Sequence, residues 1–331
     1  MQLEKKYDVV AIGNAIVDVL TRAEDDFLAA HRLHKGTMAL VDEAAADALY
    51  AAMGPSTIVS GGSAANTVVG VASLGGRAAF VGKVRDDEAG RAFAHDIRAA
   101  GVGFATAPAT TGPATARCLV LVTPDGERTM NTYLGACVEL APEDVDETVI
   151  ENASIFYFEG YLWDPPKAKA AFRKAAQAAR RGGGRIALTL SDSFCVDRYR
   201  DEFLSLIRNG EIDILFANES EMHALYQTAD FDTAVAALGA ENVLAFVTRS
   251  ENGCVIVDGD QTTAIPAAQI ERLVDTTGAG DLFAAGVLFG LARGLPHEAA
   301  ARIGALAAAE IIQHYGARPE ASLAELVAQT A

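Results

Sequence analysis

Short apolar runs alternate with helical stretches through the second half of the chain, and this alternation restricts the fold more than any other feature. Strand-length runs occupy residues 154–158, 185–190, 212–217 and 243–248. Runs of this length separated by helices predict parallel strands with helices on both faces of the sheet. The 331 residues contain no repeat, linker or low-complexity tract. We therefore predict one α/β domain over 1–331 with a doubly wound, mostly parallel sheet.

The N-terminal half repeats the same pattern with glycine-rich turns. A strand at 57–60, a turn at Gly61-Gly62, a helix at 63–74 and a strand at 78–84 predict one strand–helix–strand unit of the parallel sheet. Ligands of such sheets bind beyond the carboxyl ends of the strands. We expect the residues at these ends to converge, namely Asn14, Gly61, Gly62, Asn218 and Thr248.

A hairpin interrupts the alternation. Residues 117–123 and 127–133 predict two strands joined by a Pro124-Asp125-Gly126 turn. A hairpin within an α/β chain is typical of a lid or a dimer contact, with edge decoration as the alternative.

The charge balance limits the partners. Lys and Arg total 27 against 44 Asp and Glu, a net charge of −17 that repels nucleic acids and anionic membranes. We expect neither as a partner. The four cysteines lie far apart without metal-site spacing, which favours free thiols in a reducing compartment. The apolar segments are too short to span a bilayer, so we predict a cytoplasmic protein.

The segment from Asp275 to Asp281, with the sequence DTTGAGD, is the strongest chemical signal. Small residues before a helix let the backbone approach a ligand, and the free amides at the helix start attract a phosphate. Asp281 at that terminus would accept a proton from an attacking hydroxyl. The plain alternative is a first-turn acidic residue after glycines that serve the turn.

A second segment runs from Gly61-Gly62 to Asn66 and offers space and a hydrogen-bonding amide to a small polar molecule. A tight strand-to-helix connection is its structural alternative. Asp18 lies among apolar neighbours, where a carboxylate needs a partner. The chain has no GxxxxGK[ST], GxGxxG or HExxH motif, which argues against P-loop NTPases, dinucleotide-dependent dehydrogenases and zinc proteases.

These segments, in this order, resemble the two signatures of the PfkB family of carbohydrate and nucleoside kinases. The resemblance covers nearly the whole chain and includes Gly13-Asn14 with Asp18, Gly61-Gly62 with Asn66, the hairpin, Asn218-Glu219-Ser220-Glu221 and 275–281. It implies a ribokinase-like fold with a small β lid, which we assign to inserted segments at about 13–41 and 105–136. It also implies an ATP-dependent kinase that phosphorylates a primary hydroxyl.

The resemblance implies a role for each matching residue on the phosphate side. Asp281 is similar to the catalytic base, and Gly278, Ala279 and Gly280 to the anion hole. Asn218 and Glu221 match a motif that organises Mg²⁺, usually through water, and phosphate. Thr248, Arg249 and Gly253 correspond to the nucleotide loop, although Ser250 replaces a family glycine. Asp275 and Thr277 correspond to a place where many members bind a monovalent cation such as K⁺.

The acceptor end is implied in the same way. Asn14, Asp18, Gly61, Gly62 and Asn66 would bind hydroxyl groups. Within the family the chain resembles the adenosine kinases, in residues 12–18 and 213–219. We expect a purine base to be enclosed by lid and loop residues, namely Tyr133, Leu134, Ala136, Tyr161 and Trp163.

Two other functions stay open at the sequence level. One is a sugar kinase of the ribose, fructose or ketodeoxygluconate type, and a sugar acid would favour Arg117 near the lid as its partner. The other is a non-catalytic relative that binds a nucleotide or ligand. The lid would cover its own site in a monomer or pair with another copy in a homodimer.

Overall fold

The computed structural model describes residues 5–330 and contains two sheets. The strands are β1 (Tyr7–Ile12), β2 (Ile16–Arg22), β3 (Met38–Leu40), β4 (Thr57–Gly61), β5 (Ala78–Val81), β6 (Gly103–Phe104), β7 (Ala116–Val122), β8 (Arg128–Tyr133), β9 (Ala153–Glu159), β10 (Arg185–Thr189), β11 (Ile214–Asn218), β12 (Leu244–Thr248), β13 (Cys254–Asp258) and β14 (Gln261–Ile265). The helices are α1 (Asp25–Ala30), α2 (Glu43–Ala52), α3 (Ser63–Ser73), α4 (Glu88–Ala99), α5 (Glu147–Glu151), α6 (Pro166–Arg181), α7 (Ser193–Arg208), α8 (Glu219–Tyr226), α9 (Phe231–Gly239), α10 (Ala279–Ala292), α11 (His297–Ile311) and α12 (Leu323–Thr330).

The large sheet has nine strands in the order β14-β13-β12-β11-β10-β9-β1-β5-β6. Its pairs from β12 to β6 are parallel, and β13 and β14 extend one edge in antiparallel pairing. Apolar clusters cover both faces, one against α6 to α9 and the other against α3, α4, α10 and α11. Strands buried on both faces must be apolar almost throughout. The predicted mostly parallel, helix-flanked sheet is confirmed.

The small sheet has five strands in the order β3-β8-β7-β2-β4. Its β7 and β8 form the hairpin that the sequence predicts, with Cys118 opposite Thr132. One face packs against α1 and α2 through Val19, Leu119 and Leu121. The other face carries Asp18, because neighbouring residues of a strand point to opposite sides. The assignment of this sheet as a lid stays a prediction.

The predicted strand–helix–strand unit at 57–84 is wrong in one respect. β4 pairs antiparallel with β2 in the small sheet, whereas β5 pairs parallel with β1 in the large sheet. The reason is burial, since all four residues of β5 are buried while Thr57 and Ile58 of β4 are exposed. A strand with exposed side chains suits a sheet open on one side, so α3 connects the two sheets instead of two strands of one.

Glycines set the distances between the helices behind the site. A Cβ on Gly70 of α3 would lie 2.6 Å from Ala285 and from Leu282 of α10. On the other side of α10, a Cβ on Gly286 would lie 2.6 Å from the Cα of Gly304 in α11. Only residues without side chains permit this spacing, so α10 is fixed between α3 and α11.

All four cysteines are free and buried. Burial raises the pKa of Cys118, Cys195 and Cys254 to about 12 and raises that of Cys137 further. Within residues 5–330, no helix combines the length and apolar character that a membrane span needs.

Candidate active site

The segment at 275–281 forms the start of α10. Gly278 caps this helix with a left-handed φ of +79°, a conformation that disfavours residues with a Cβ. Its first-turn amides have no partner deeper in the helix and face an incoming anion. A Cβ on Gly280 would meet open space, so the surface beside it has room for a phosphoryl group. The amide of Ala279 already donates to the carbonyl of Thr276 at 3.2 Å, which reduces its part in the predicted anion hole.

The Asp281 carboxylate lies where α10 meets the first turn of α3. Ser63 Oγ donates to one carboxylate oxygen at 2.6 Å, and Asn66 Nδ2 donates to the other at 3.0 Å. Burial raises the pKa of Asp281, while these two hydrogen bonds and the charge of Arg318 lower it. Asn66 Oδ1 is buried and has no hydrogen-bond partner among the described residues, so it is an acceptor available to a ligand. The structure therefore brings Asp281 and Asn66 together.

The acceptor loops meet at Gly61-Gly62. The Asp18 carboxylate packs so closely on Gly61 that no Cβ fits between them, and Gly62 has a φ of +97° against the carbonyl of Asn14. Burial raises the pKa of Asp18 to about 6, although Arg318 and Arg128 oppose this. Asn14 and the Gly61-Gly62 turn lie together, as the sequence predicts for these strand ends, and the Asp18 carboxylate reaches the same turn from within β2.

Glu159 is the centre of this arrangement and was missed by sequence reasoning. Its side chain is fully buried at the end of β9. Its two oxygens accept hydrogen bonds from the amides of Asn14 at 2.9 Å and Ala64 at 2.8 Å. Burial raises its pKa to about 7, and the two backbone hydrogen bonds lower it. A carboxylate directly after an apolar strand was the sequence signal that could have identified it.

Asn218 and Glu221 form a reciprocal cap at the start of α8. The Asn218 amide group and backbone donate to Glu221 at 2.6 and 3.0 Å, and the Glu221 amide donates to Asn218 Oδ1 at 2.9 Å. Burial raises the pKa of Glu221 to about 7. Each carboxylate oxygen keeps a lone pair for water, so this donor set fits Mg²⁺ held through water with substrate phosphates. Within the described residues, no three His, Cys, Asp or Glu side chains are grouped to bind a metal directly.

The predicted nucleotide loop follows β12. Thr248 and Gly253 flank it, but the Arg249 guanidinium is already paired with Glu219 at 3.1 Å and lies 3.9 Å from the centre of the Phe231 ring. Because its guanidinium already has these two partners, Arg249 is not free to bind a phosphate. Ser250 has a φ of +50°, a left-handed backbone conformation that favours glycine over residues with a Cβ.

The predicted monovalent-cation site does not fit K⁺, because a guanidinium lies in it. Arg128 of β8 places Nη2 2.5 Å from Asp275 Oδ2, and its Nη1 donates to Thr277 Oγ1 at 2.7 Å. Asp275 also accepts from the amides of Thr277 at 3.0 Å and Gly316 at 2.9 Å. The carboxylate is thus satisfied by the protein's own donors. Sequence reasoning did not single out Arg128, which lies 147 residues before Asp275 in the chain.

Several residues expected to enclose the acceptor lie elsewhere. Tyr133 and Arg117 are directly opposite each other on the helix-covered face of the small sheet, where Arg117 pairs with Asp47 at 2.6 Å. Trp163 is buried in the core and donates to Glu202 at 2.8 Å. Side chains alternate between the two faces of a sheet, and the strand positions of Tyr133 and Arg117 point towards the helices. Trp163 is part of a large aromatic cluster in the core.

Three other acceptor candidates have different surroundings. Leu134 is half-buried directly after β8, whereas Ala136 is fully buried and donates its amide to the carbonyl of Ala114 at 2.8 Å. Tyr161 lies after β9 and contacts Ser191, with its hydroxyl 3.4 Å from that carbonyl. Burial and Asp192 raise the pKa of Tyr161.

Comparison with known proteins agrees with this geometry. The profile described as "pfkB family carbohydrate kinase" matches residues 10–323. The solved structure of an adenosine kinase from Sinorhizobium meliloti is 55% identical with a TM-score of 0.93, covering 98% of this chain and 100% of that one. A probable sugar kinase from Rhizobium etli is 51% identical with a TM-score of 0.94, covering 98% and 99%. A probable chloroplastic fructokinase from Arabidopsis thaliana is 32% identical over 71% of this chain, which spans 63% of that protein.

The left-handed Ser250 predicts a stabilising substitution. Ser250→Gly should raise the free energy of unfolding by about 1 kcal/mol, because glycine adopts this backbone without a Cβ clash. The control is Glu251→Gly in the same exposed turn, where φ is not positive and the substitution should lower stability. Denaturant unfolding of both variants measures the difference, and equal effects of the two substitutions would contradict strain at Ser250.

Proposed function

This chain belongs to the pfkB family of carbohydrate kinases, and we propose that it transfers the γ-phosphoryl group of ATP to the 5′-hydroxyl of adenosine, which yields AMP. The observation that carries the proposal is the position of Asp281, held by Ser63 and Asn66 beside the amides that begin α10. A proton acceptor and an anion site thus lie side by side. Phosphoryl transfer to a hydroxyl needs both within one small volume.

The residues divide the chemistry between them. Asp281 accepts the hydroxyl proton while the hydroxyl oxygen forms a bond to the γ-phosphorus and the bond to the β–γ bridging oxygen breaks. The amides of Gly278 and Gly280 stabilise the charge on the transferred group. Magnesium bound to the triphosphate supplies further charge neutralisation, and Asn218 and Glu221 would hold it through water.

The Asp18 face of the small sheet supports a nucleoside as the acceptor. Strand register places Asp18 on the same side as an apolar surface made by Ile16, Leu20, Cys118, Val120, Met130, Met38 and Leu40. We call this surface the acceptor face. A carboxylate suits the ribose diol, and a flat apolar surface suits a purine base, which a free sugar lacks. The 55% identity with an adenosine kinase points to the same acceptor.

A sugar kinase is the second candidate, supported by the 51% identity with a probable sugar kinase. In that case Asp18 and Asn66 would bind sugar hydroxyls, and the apolar acceptor face would contribute little. We also propose a cytoplasmic location, because all four thiols are free.

An assay of ADP release with Mg²⁺ and ATP tests both acceptors. We expect adenosine to exceed inosine, guanosine, ribose, fructose and ketodeoxygluconate in kcat/KM. Asp281→Asn should lower kcat by about 10²- to 10⁴-fold, because the proton acceptor is lost while Ser63 and Asn66 keep a partner. Asp260→Asn, in an exposed turn, is the control that should retain activity. Near wild-type turnover in Asp281→Asn would disprove the catalytic assignment.

Two exposed apolar side chains, one leucine and one isoleucine, test whether the acceptor face binds the base. Leu40 is 55% exposed on this face, and Ile58 is 49% exposed on the opposite face of the same sheet. Leu40→Glu should raise the KM for adenosine and leave the KM for ATP unchanged, because a charge replaces apolar contact with the base. Ile58→Glu is matched in exposure and chemistry and should change neither constant. Equal effects in steady-state kinetics would place the base elsewhere.

The Arg128–Asp275 pair predicts turnover without a monovalent cation. Wild-type activity should be the same in potassium and tetramethylammonium chloride at equal ionic strength. Arg128→Met removes the cation that pairs with the buried Asp275 carboxylate and leaves it only two amide donors. The variant should therefore lose about 3 kcal/mol of stability, and KCl should raise its melting temperature more than tetramethylammonium chloride does. Arg117→Met, on the other face of the hairpin, is the control without a potassium response. Potassium activation of the wild type would contradict this prediction.

A further inference from the structure

Arg318 lies in the segment between α11 and α12 and reaches the start of α3. Its Nε donates to the carbonyl of Ser60 at 2.9 Å, and Nη2 donates to Ser60 Oγ at 3.1 Å. Its Nη1 donates to the carbonyl of Ala65 at 3.0 Å. The five donors of a guanidinium lie in a rigid plane, so three such bonds fix the geometry of both partners.

The two partners of Arg318 flank the turn that supports both carboxylates of the acceptor end. Gly61 in this turn packs against the Asp18 carboxylate. Ser63 and Asn66, in the first turn of α3, hold the two oxygens of Asp281. Any shift of this turn would therefore move Asp18 and Asp281 relative to each other. Arg318 ties the turn to the C-terminal segment, and Glu159 holds the Ala64 amide from within the sheet.

The three hydrogen-bond acceptors of Arg318 are all neutral, so within residues 5–330 these bonds do not pair its charge with a carboxylate. Its field therefore extends to the carboxylates around it. These are Asp18, Asp281 and, on the outer side, Asp96, which shares with Arg318 a groove of about 400 Å³ between α3 and α4. Burial lowers the pKa of Arg318 to about 10, so it is still protonated at neutral pH.

Within residues 5–330, the other titratable groups that interact with Asp281 carry no positive charge. Those that interact with it electrostatically are acidic or phenolic, namely Asp18, Glu159, Tyr157 and Tyr161. The positive charge of Arg318 lowers the pKa of Asp281. For Asp18, Arg318 acts more strongly than Arg128. Asp18 and Asp281 interact as like charges, which disfavours the ionised form of each, and a nearby cation opposes that effect.

We propose that Arg318 is a positioning residue for phosphoryl transfer, which holds the turn from Ser60 to Ala65 in place and supplies a positive charge to Asp18 and Asp281 through that turn. This role rests on the proposed kinase function. Asp281 must be ionised to accept the hydroxyl proton, and Asp18 must be ionised to bind a diol most strongly. One guanidinium thus serves both groups through the same turn.

The first test is the pH dependence of kcat/KM for adenosine in Arg318→Met. Removal of the positive charge should raise the pKa of Asp281, so the acid limb of the profile should move up by about one pH unit. At pH values below this limb, the ratio of variant to wild-type activity should be about tenfold smaller than it is at high pH. Arg318→Lys keeps the charge but not the planar fork. It should keep the acid limb near that of the wild type, with a lower kcat.

The second test uses stability and needs no turnover. Asp18 has a pKa of about 6 in the folded protein, against an ordinary value of 3.8. Its contribution to the free energy of unfolding is therefore present at low pH and is lost as the pH rises. Without Arg318 this pKa should rise further. The melting temperature of Arg318→Met should therefore fall further below that of the wild type as pH increases from 5 to 8.

Arg185 provides the matched control. It also donates to a backbone carbonyl, that of Leu291 at 3.0 Å, and burial lowers its pKa, but it lies at the start of β10. Arg185→Met should shift neither the acid limb nor the pH dependence of melting relative to the wild type. A pH-independent loss of stability in Arg318→Met, with an unshifted acid limb, would overturn the proposal. Absence of wild-type turnover would instead overturn the proposed function, and the melting test would still decide the role of Arg318.

Discussion

The close approach of α3 and α10 is the constraint on which the site depends. Gly70 leaves no room for a side chain between the helices, so Leu282 and Ala285 pack directly on α3. This contact aligns the first turns of the two helices, where Ser63 and Asn66 reach Asp281. The buried carboxylate of Glu159 holds the same first turn to the end of β1. The base and the acceptor loops therefore form one rigid unit rather than a set of independent loops.

The sequence was informative where local pattern and tertiary structure coincide. Apolar runs long enough for buried strands predicted the large sheet, and the glycine-rich segments before Asp281 and Asn66 predicted two places where the backbone leaves room for a ligand. The sequence was less informative about the direction in which each side chain points. Tyr133 and Trp163 are aromatic residues near the site in the chain. The alternation of side chains along β8 points Tyr133 towards α2, and Trp163 packs in the hydrophobic core.

Residues that act across long chain separations could not be found from local pattern. Arg128, Glu159 and Arg318 take their roles from partners in other elements: Asp275, Ala64 and Ser60 respectively. The chain carries a net charge of −17, yet the backbone amides that begin α10 offer an anionic substrate a local positive dipole, which charge composition alone could not reveal.

The buried thiols have a practical consequence for measuring motion. Thiol reagents attack the thiolate, and the pKa values of about 12 or above leave almost none of it at neutral pH. All four native cysteines are also shielded from solvent. A single cysteine introduced at an exposed position of the small sheet would therefore react selectively with a fluorescent or spin label. The distance between the two sheets could then be followed in solution with the native cysteines left in place.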